Sequence, residues 1–273
     1  MDEIEAFYDR NAQNEWDRLD RHRTELAITL KAFKEYMPQP PVDVLDIGGG
    51  PGRYSISLAE RGYKVTLLDL SKRCLEFARE KALKSGVVLA DYRHGTALDL
   101  GAFVDDSFEV VLLMGPLYHL LDEDRRRRAI REARRVLKPN GLVFASVITR
   151  YAPFRWAAKN DPEWLEQVGR LLETGVWRPS LDGTPSGARV GFTDSYFADP
   201  VEIRQLMESE KFETLNLIAC EGIISLIEEK INALDGRAFD AWIELNYRLS
   251  KDPAIHGGAE HLLYIGRKTS SLG

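Results

Sequence analysis

Between residues 42 and 149, short apolar runs alternate with segments in which apolar residues recur every three or four positions. The runs are rich in valine, leucine and isoleucine and read VDVLDI, KVTLLDL, VVLADYRH, FEVVLLM and LVFASVI. Runs without polar alternation are typical of strands that are covered on both faces, and their alternation with helical segments is typical of βαβ units. The pattern therefore predicts an α/β fold built on a mainly parallel sheet.

Two of the segments between these runs have clear helix boundaries. SKRCLEFAREKALKSG begins at Ser71, a favourable N-cap, and closes on Gly86, a favourable C-terminal residue. DEDRRRRAIREARRVLKPNG repeats apolar residues at helical spacing from Ile130 to Leu137, and its Pro-Asn-Gly sequence predicts a stop before the fifth strand. The arginines at 125–128 have acidic neighbours, so we interpret them as a solvated outer face and not as a nucleic-acid patch.

The flanking segments divide the chain into three predicted parts. Residues 1–41 have the pattern of one or two amphipathic helices ending at the sequence PQPP, and we interpret them as an N-terminal helical lid. Residues 42–149 are the predicted α/β core. Residues 150–273 begin with cap insertions rich in tryptophan, glycine and proline, and then regain a strand and helix rhythm that would complete the sheet.

Composition and charge limit the possible partners of this 273-residue chain. With 44% hydrophobic and 29% charged residues it resembles ordinary globular proteins. The formal charge of −6 disfavours a nonspecific grip on nucleic acid or on an anionic membrane. Cys74 and Cys220 lie far apart, which predicts neither a disulfide framework nor a structural zinc site. With no recognisable signal peptide or membrane-spanning run, we expect a cytoplasmic protein.

The sequence VLDIGGGPGRYS, residues 44–55, places four glycines directly after the first predicted strand. A strand, glycine loop and helix in this order direct backbone N–H groups and a helix N-terminus at a ligand. A P-loop requires lysine and then serine or threonine after its last glycine, whereas Arg53 and Tyr54 follow Gly52. A dinucleotide fingerprint requires glycine at the position of Arg53. The spacing therefore disfavours both nucleoside triphosphates and nicotinamide dinucleotides.

Acids flank this loop at two informative positions. Asp46 precedes Gly48 by two residues, and Asp69 ends the second predicted strand, where an acid can accept both ribose hydroxyls of an adenosine. HGTALDL follows the third strand, and LLMGPLYHLLDEDRRRRAIREARRVLKPNGLV spans the end of the fourth strand, the next helix and the turn that closes this helix. With these landmarks, residues 42–149 resemble the class I S-adenosylmethionine (SAM) dependent methyltransferases. The resemblance implies a Rossmann-like doubly wound sheet of seven strands whose last strand is antiparallel.

The resemblance also implies a role for each matching residue. The implied cofactor contacts are Asp46, Gly48, Gly49, Gly50 and Gly52 at the methionine part, Asp69 and Leu70 at the ribose, Thr96, Ala97 and Leu98 at the adenine edge, and Met114 and Gly115 at the sulfur. Many members have an acid at the position of Thr96, so here the adenine contact would fall to Thr96 itself, to Asp99 or to backbone. MGPLYH also differs from the Asn/Asp-Pro-Pro-Tyr/Phe sequence with which some relatives hold a planar amino group.

Candidate catalytic residues lie just after the fourth strand. Tyr118 and His119 are at the carboxyl edge of the predicted sheet, and His119 is a candidate base, although a histidine there can also serve only to hydrogen-bond the loop. By analogy with lids in the family, Tyr8, Trp16 and Tyr196 are predicted lid residues, with Tyr8 also contacting the cofactor. The four remaining histidines have no metal-ligand spacing, so we expect no metal; they are His22, His94, His256 and His261.

The resulting prediction is a SAM-dependent methyltransferase acting on an oxygen, nitrogen or carbon of a small molecule, with S-adenosylhomocysteine as product. The enzyme would contribute mainly alignment for an in-line displacement, with a base needed only if the acceptor must lose a proton. A non-catalytic SAM-binding or regulatory protein is the alternative. A nicotinamide-dependent oxidoreductase is opposed by Arg53, and an RNA methyltransferase by the net charge. The acceptor and the oligomeric state are left open.

Overall fold

A computed structural model describes residues 3–179 and 193–269. Its strands are β1 Asp43–Ile47, β2 Lys64–Asp69, β3 Asp91–His94, β4 Phe108–Leu113, β5 Leu137–Ile148, β6 Val176–Trp177, β7 Ser195–Tyr196, β8 Phe212–Ala219 and β9 His261–Lys268. Seven of them form one sheet in the order β3-β2-β1-β4-β5-β9-β8, while β6 and β7 pair separately. The strands from β1 to β5 are parallel, and β9 runs antiparallel to both β5 and β8. The predicted α/β fold with an antiparallel last strand is confirmed.

Helices cover both faces of this sheet. They are α1 Glu3–Arg21, α2 Arg23–Tyr36, α3 Arg53–Ala59, α4 Lys72–Lys84, α5 Pro116–His119, α6 Glu123–Val136, α7 Ala152–Asn160, α8 Leu165–Thr174, α9 Pro200–Ser209, α10 Glu228–Asn232, α11 Gly236–Leu249 and α12 Pro253–His256. Short 3-10 segments occupy Pro162–Trp164 and Gly222–Ile227. In the part of the chain that the structure describes, no helix has both the length and the apolar character needed to cross a bilayer.

The central strands β1 and β4 are largely apolar because each face of the sheet packs against helices. Leu45, Val111 and Leu113 belong to a cluster that includes residues of α6, whereas Val44 and Val110 belong to a second cluster on the other face. The second cluster also contains α2, whose apolar residues Ile28, Ala32 and Phe33 are buried. Helix α2 is therefore part of the core layer, while the division of the chain at residues 41 and 149 stays a prediction.

Two strand boundaries differ from the sequence prediction. Strand β3 begins at Asp91 and not at Val87, and β5 begins at Leu137, ahead of the Pro-Asn-Gly sequence that the prediction places before it. Leu137 already pairs with Phe108 of β4, and the register shifts before the next pair. Asn140, with a φ of 63°, is one of the extra residues of β5 between these two pairs. The turn is therefore an irregularity inside β5, because pairing with β4 resumes on both sides of it.

Helix α1 packs over the first residues of α4. Ala12 shares a small apolar cluster with Cys74 and Phe77, and the Asp9 carboxylate accepts a hydrogen bond of 2.5 Å from the Ser71 hydroxyl. Ser71 is also the N-cap of α4, as predicted, since its hydroxyl accepts from the Cys74 amide. This packing holds α1 above the carboxyl edge of the sheet, where β2 ends.

Three of the tryptophans after β5 pack with one another. The ring centroids of Trp156 and Trp164 are 6.0 Å apart, and those of Trp164 and Trp177 are 5.1 Å apart. Both pairs have edge-to-face geometry, which is a favourable arrangement of aromatic rings. These three residues thus belong to the local core of the segment that follows β5.

Candidate functional site

The loops after β1 and β4 meet at the carboxyl edge of the sheet. The strand order reverses between these two strands, and open α/β sheets bind ligands at such a switch point. A Cβ atom added to Gly48 would lie 2.7 Å from the Pro116 Cγ atom, and one added to Gly115 would lie 3.2 Å from the Gly48 carbonyl oxygen. Glycines at 48 and 115 therefore allow the two loops to approach each other closely.

A cavity of about 210 Å³ opens at this point. Its wall contains most of the residues predicted to contact the cofactor, namely Gly48, Gly49, Gly50, Asp69, Leu70, Thr96, Ala97, Leu98, Met114 and Gly115, together with Tyr8, Tyr118 and His119. These residues come from the ends of four strands and from α1. The fold thus brings together side chains that are up to 111 positions apart in the chain.

The glycine loop is fixed to the end of β2 by its own backbone. The Gly48 amide donates to the Leu68 carbonyl at 2.7 Å, and the Gly50 amide donates to the Asp69 carboxylate at 2.7 Å. Gly48 and Gly50 have φ values of 67° and 55°, in the left-handed region that favours glycine. A side chain at Gly50 would find space, its nearest neighbour being the Glu15 Cγ atom at 4.0 Å. The loop is consequently shaped around an open volume.

The Asp69 carboxylate lies on the cavity wall with only 7% exposure. One oxygen accepts from the Gly50 amide and the other from the Ser71 amide, at 2.7 and 2.8 Å. Burial raises the pKa of Asp69 to about 6, although these two amides favour the charged form. Because each carboxylate oxygen can accept a second hydrogen bond, the group fits a ligand that presents two adjacent hydroxyls.

Asp46 and Gly52 occupy different places from those implied by the resemblance. Asp46 is fully buried behind the loop, where its carboxylate accepts from the Ser55 hydroxyl at 2.7 Å. A Cβ atom on Gly49 would lie 2.5 Å from that carboxylate, and one on Gly52 would lie 3.0 Å from Ala78. Neither Asp46 nor Gly52 is on the cavity wall. Asp46 supports the loop from behind, and burial raises its pKa to about 7.

The loop after β3 forms the far end of the cavity through Thr96, Ala97 and Leu98. Asp99, one of the groups considered for an adenine contact, is exposed, and its carboxylate accepts from the Gly101 amide at 2.9 Å. The Thr96 hydroxyl accepts from the Leu98 amide at 3.3 Å. The polar groups that remain available at this end are therefore those of the Thr96–Leu98 segment itself.

Tyr8, His119 and Thr193 form a hydrogen-bonded series at the opposite end. The Tyr8 hydroxyl lies 2.7 Å from the His119 Nε2 atom, and the Thr193 hydroxyl lies 3.0 Å from its Nδ1 atom. His119 is 9% exposed and lies on the cavity wall, beside Tyr118 with a ring-centroid distance of 4.6 Å. Burial raises the pKa of Tyr8 well above its usual value, so that its hydroxyl stays protonated. Both imidazole nitrogens are thus engaged, which fixes the orientation of the ring.

The two other predicted lid residues are not on the wall of the cavity. Trp16 packs against Phe77, with the Arg53 guanidinium 4.7 Å and the Lys81 ammonium 4.6 Å from its ring centroid. Tyr196 packs under the guanidinium of Arg126 at 3.7 Å from its ring centroid. The structure therefore places both residues in neighbouring packing contacts and does not bring them to the site.

Helix α1 contributes wall residues that the sequence interpretation missed. They are Ile4, Glu15, Arg18 and Leu19. The Arg18 guanidinium donates to both Glu25 oxygens at 2.6 and 3.1 Å and to Glu15 at 3.0 Å. With Tyr8 they recur at intervals that place them along one side of a helix, a signal visible in the sequence. The side that they occupy faces the cavity and supplies it with a cation and a carboxylate.

Among the described residues, three side chains of metal-ligand type come together outside this cavity. They are Glu25, Glu221 and His261, with one ligand atom of each within 4.8 Å of the others. Arg18 already engages both Glu25 oxygens, and the amides of Glu260 and His261 donate to Glu221. Burial opposes a charge on His261, but Glu25 and Glu221 raise its pKa to about 9. We interpret the group as a buried ion-pair network that joins α2 to the start of β9.

This network predicts a pH-dependent stability. The pKa of His261 is about 9 in the folded chain, against an ordinary value near 6.5, so its contribution is complete below about pH 6.5 and is lost as the pH rises through 9. The loss amounts to about 3 kcal/mol of unfolding free energy. Urea unfolding at pH 6.5 and pH 9.5 is expected to show this loss in the wild type and a much smaller one in His261→Gln. Equal pH dependence in the two proteins would contradict the assignment.

Residues 44–141 match the family model described as a methyltransferase domain. A ubiquinone biosynthesis O-methyltransferase of Xanthomonas euvesicatoria is 38% identical over 134 residues, which are 49% of this chain and 53% of that protein. That of Chromobacterium violaceum is 38% identical over 109 residues, 40% of this chain and 45% of its own length. The chain thus spans about half the length of the curated relatives it matches.

Solved structures of low sequence identity share the fold over nearly the whole chain. A SAM-dependent methyltransferase structure from Methanosarcina mazei superposes with a TM-score of 0.61 at 19% identity, covering 87% of this chain and 97% of that one. At this level of identity the likeness shows the fold alone. It extends well beyond residues 44–141, into the helices and strands on either side of the matched domain.

Proposed function

We propose that this chain, whose residues 44–141 match a methyltransferase domain, is a class I SAM-dependent methyltransferase that transfers the methyl group of SAM to a small-molecule acceptor. The observation that carries the proposal is the Asp69 carboxylate, buried on the cavity wall and fixed by the Gly50 and Ser71 amides. It leaves two acceptor positions side by side, as an adenosine ribose requires. A cytoplasmic location belongs to the same proposal.

The residues of the cavity fit the remaining parts of this cofactor. Segment Thr96–Leu98 offers backbone polar groups and apolar surface to the adenine. At the glycine-loop end, Arg18 offers a cation to a carboxylate and Glu15 offers a carboxylate to an ammonium group. The methionine part carries both of these groups. Met114 and Gly115, which follow β4 beside the glycine loop, would border the sulfur.

The Asp69 carboxylate on the cavity wall disfavours a pyrophosphate beside the glycine loop. Glu15 is also on the wall but is bonded to the Arg18 guanidinium, so that these two opposite charges suit a zwitterionic ligand. A carboxylate in a low effective dielectric repels a pyrophosphate and attracts a sulfonium. When bound, SAM supplies a methyl carbon made electrophilic by its positive sulfur. This electrostatic argument agrees with the glycine spacing, which also disfavours a dinucleotide.

His119 is the proposed base, which takes the proton from the hydroxyl group that is to be methylated. It lies on the cavity wall with its Nε2 atom 2.7 Å from the Tyr8 hydroxyl. The hydroxyl of a bound methyl acceptor could take the place of the Tyr8 hydroxyl beside this nitrogen. The Thr193 contact at Nδ1 holds the ring while the proton moves. A hydroxyl must lose its proton on methylation, which suits a neighbouring base. We therefore favour O-methylation, the activity in the names of the curated relatives.

A product assay tests the proposal. The protein is incubated with SAM and a library of phenols, alcohols, carboxylic acids and amines, and S-adenosylhomocysteine release is followed by mass spectrometry. We expect release with hydroxyl acceptors and a product heavier by one methyl group in place of one hydrogen. Tight SAM binding without release in any member of the library would favour the non-catalytic alternative.

A further inference from the structure

Arg126 differs from the neighbouring arginines of α6 by being buried. Its exposure is 5%, whereas Arg125 and Arg128 are exposed. The interpretation of residues 125–128 as a solvated outer face is therefore wrong for Arg126. Burying a guanidinium costs free energy unless hydrogen bonds and opposite charge offset it. The partners of Arg126 show what this burial achieves.

The guanidinium of Arg126 binds the backbone directly after His119. Its Nη1 atom donates to the Leu120 carbonyl at 2.7 Å and to the Leu121 carbonyl at 2.8 Å. Two bonds from one planar guanidinium fix the path of the chain at these residues. The loop that leaves α5 is consequently held from beneath, and His119 is the last residue of that helix.

The same guanidinium packs on the segment that holds the other side of His119. It lies 3.7 Å from the ring centroid of Tyr196, and its Nη2 atom is 4.0 Å from a Glu202 carboxylate oxygen. The Tyr196 hydroxyl donates to that carboxylate. Tyr196 is three residues beyond Thr193, whose hydroxyl contacts the His119 Nδ1 atom. Arg126 thus contacts the loop that follows His119 and the segment that carries Thr193, while Tyr8 of α1 contacts the imidazole from the Nε2 side.

We propose that Arg126 is the positioning residue for His119, fixing the imidazole by joining its loop to the segment that carries Thr193. The proposal rests on the proposed function, in which His119 accepts the proton of the acceptor. Arg126 acts through the loop and does not touch the acceptor or the cofactor. Without the Arg126 side chain, the His119 imidazole is no longer held in one orientation. The proposed cofactor site, built from β1, β2 and the loop after β3, stays intact.

The test compares Arg126→Met and Arg126→Lys with Arg128→Gln, a control on the same helix whose side chain is exposed. We expect Arg126→Met to lower kcat about 10- to 100-fold, since small misplacements of catalytic groups have effects of this order. The Kd for SAM should stay within twofold. Arg126→Lys retains a cation that can reach one carbonyl, so it should recover part of kcat. Arg128→Gln should match the wild type.

A spectroscopic measurement separates this proposal from the proposed function. Long-range ¹H–¹⁵N spectra of the imidazoles, with the His119 signals identified by their loss in His119→Gln, should show a shifted His119 resonance in both Arg126 variants and none in Arg128→Gln. An unmoved His119 resonance in folded Arg126→Lys would overturn the positioning role, whether or not methyl transfer is observed. Absence of methyl transfer in the wild type, with the resonance shifted in the variants, would overturn the proposed function and leave the positioning role standing.

Discussion

Replacing Asp69 with alanine is expected to weaken SAM binding by about 100-fold or more. The substitution removes the proposed acceptor for both ribose hydroxyls, and each hydrogen bond to a charged group contributes about 1.5–3 kcal/mol. It also deprives the Gly50 amide of its partner at 2.7 Å, which loosens the glycine loop. Isothermal titration calorimetry on the purified variant measures the change in Kd directly. The loss should be of similar size for S-adenosylhomocysteine, because the ribose is common to both.

Asp99→Asn is the matched control for this variant. Asp99 lies at the same edge of the sheet, but its carboxylate is exposed and contacts the Gly101 amide, a bond that asparagine can keep. We expect its Kd for SAM to equal that of the wild type within twofold. Thermal unfolding of both variants shows whether each of them is still folded. Wild-type affinity in a folded Asp69→Ala protein would remove the observation on which the cofactor assignment depends.

Replacing His119 with glutamine is expected to lower kcat for a hydroxyl acceptor about 100- to 10,000-fold, the range typical for loss of a general base. Glutamine can still bond to the Tyr8 and Thr193 hydroxyls but cannot take up a proton at neutral pH. Cofactor affinity should be unchanged, because His119 lies at the end of the cavity opposite Thr96–Leu98. Steady-state kinetics with the acceptor identified by the product assay, together with calorimetric Kd values, separate the two effects.

His94→Gln serves as the control for the second prediction. This histidine is exposed on β3 and its Nε2 atom lies 2.8 Å from the Leu70 carbonyl, a contact that a glutamine amide can replace. Its kcat should stay within twofold of the wild-type value. If His119→Gln also turned over at the wild-type rate, alignment alone would suffice and the acceptor would need no base from this residue.

The sheet and the position of the glycine loop could be predicted because their signals are local. Strand β1, the glycines after it and Asp69 at the end of β2 lie within 30 residues, and their spacing in the chain fixes their spacing in a βαβ unit. Gly48 and Gly115 lie side by side because they follow β1 and β4, which are neighbouring parallel strands. The local sequence pattern is therefore sufficient to predict structural features that form within a single βαβ unit.

Features that depend on packing between distant segments were not predictable in the same way. The sequence places Asp46 two residues from Gly48, but only the folded loop shows that the carboxylate points behind the glycines and away from the cavity. The lids of similar proteins predict Trp16 and Tyr196 at the cavity, whereas packing against Phe77 and Arg126 places them elsewhere. Resemblance was weakest for these flanking segments.

Buried charges were the least visible features in the sequence. Nothing in a run of four arginines separates Arg126 from its neighbours, because its burial depends on Tyr196 and Glu202, which are at least 70 positions away. The contact between Glu25 and His261 joins the two ends of the chain. Helical periodicity would have identified the inward side of α6, yet an arginine on that side is normally assigned to solvent.

Calorimetric titration of the wild-type protein with SAM, S-adenosylhomocysteine and NADH tests the central claim most directly. The charges and spacing of the glycine loop predict one site per chain for SAM and for S-adenosylhomocysteine, with micromolar or tighter affinity, and no heat with NADH. Binding of NADH, together with no heat from either adenosyl sulfur compound, would contradict the cofactor assignment and the methyl-transfer function that depends on it.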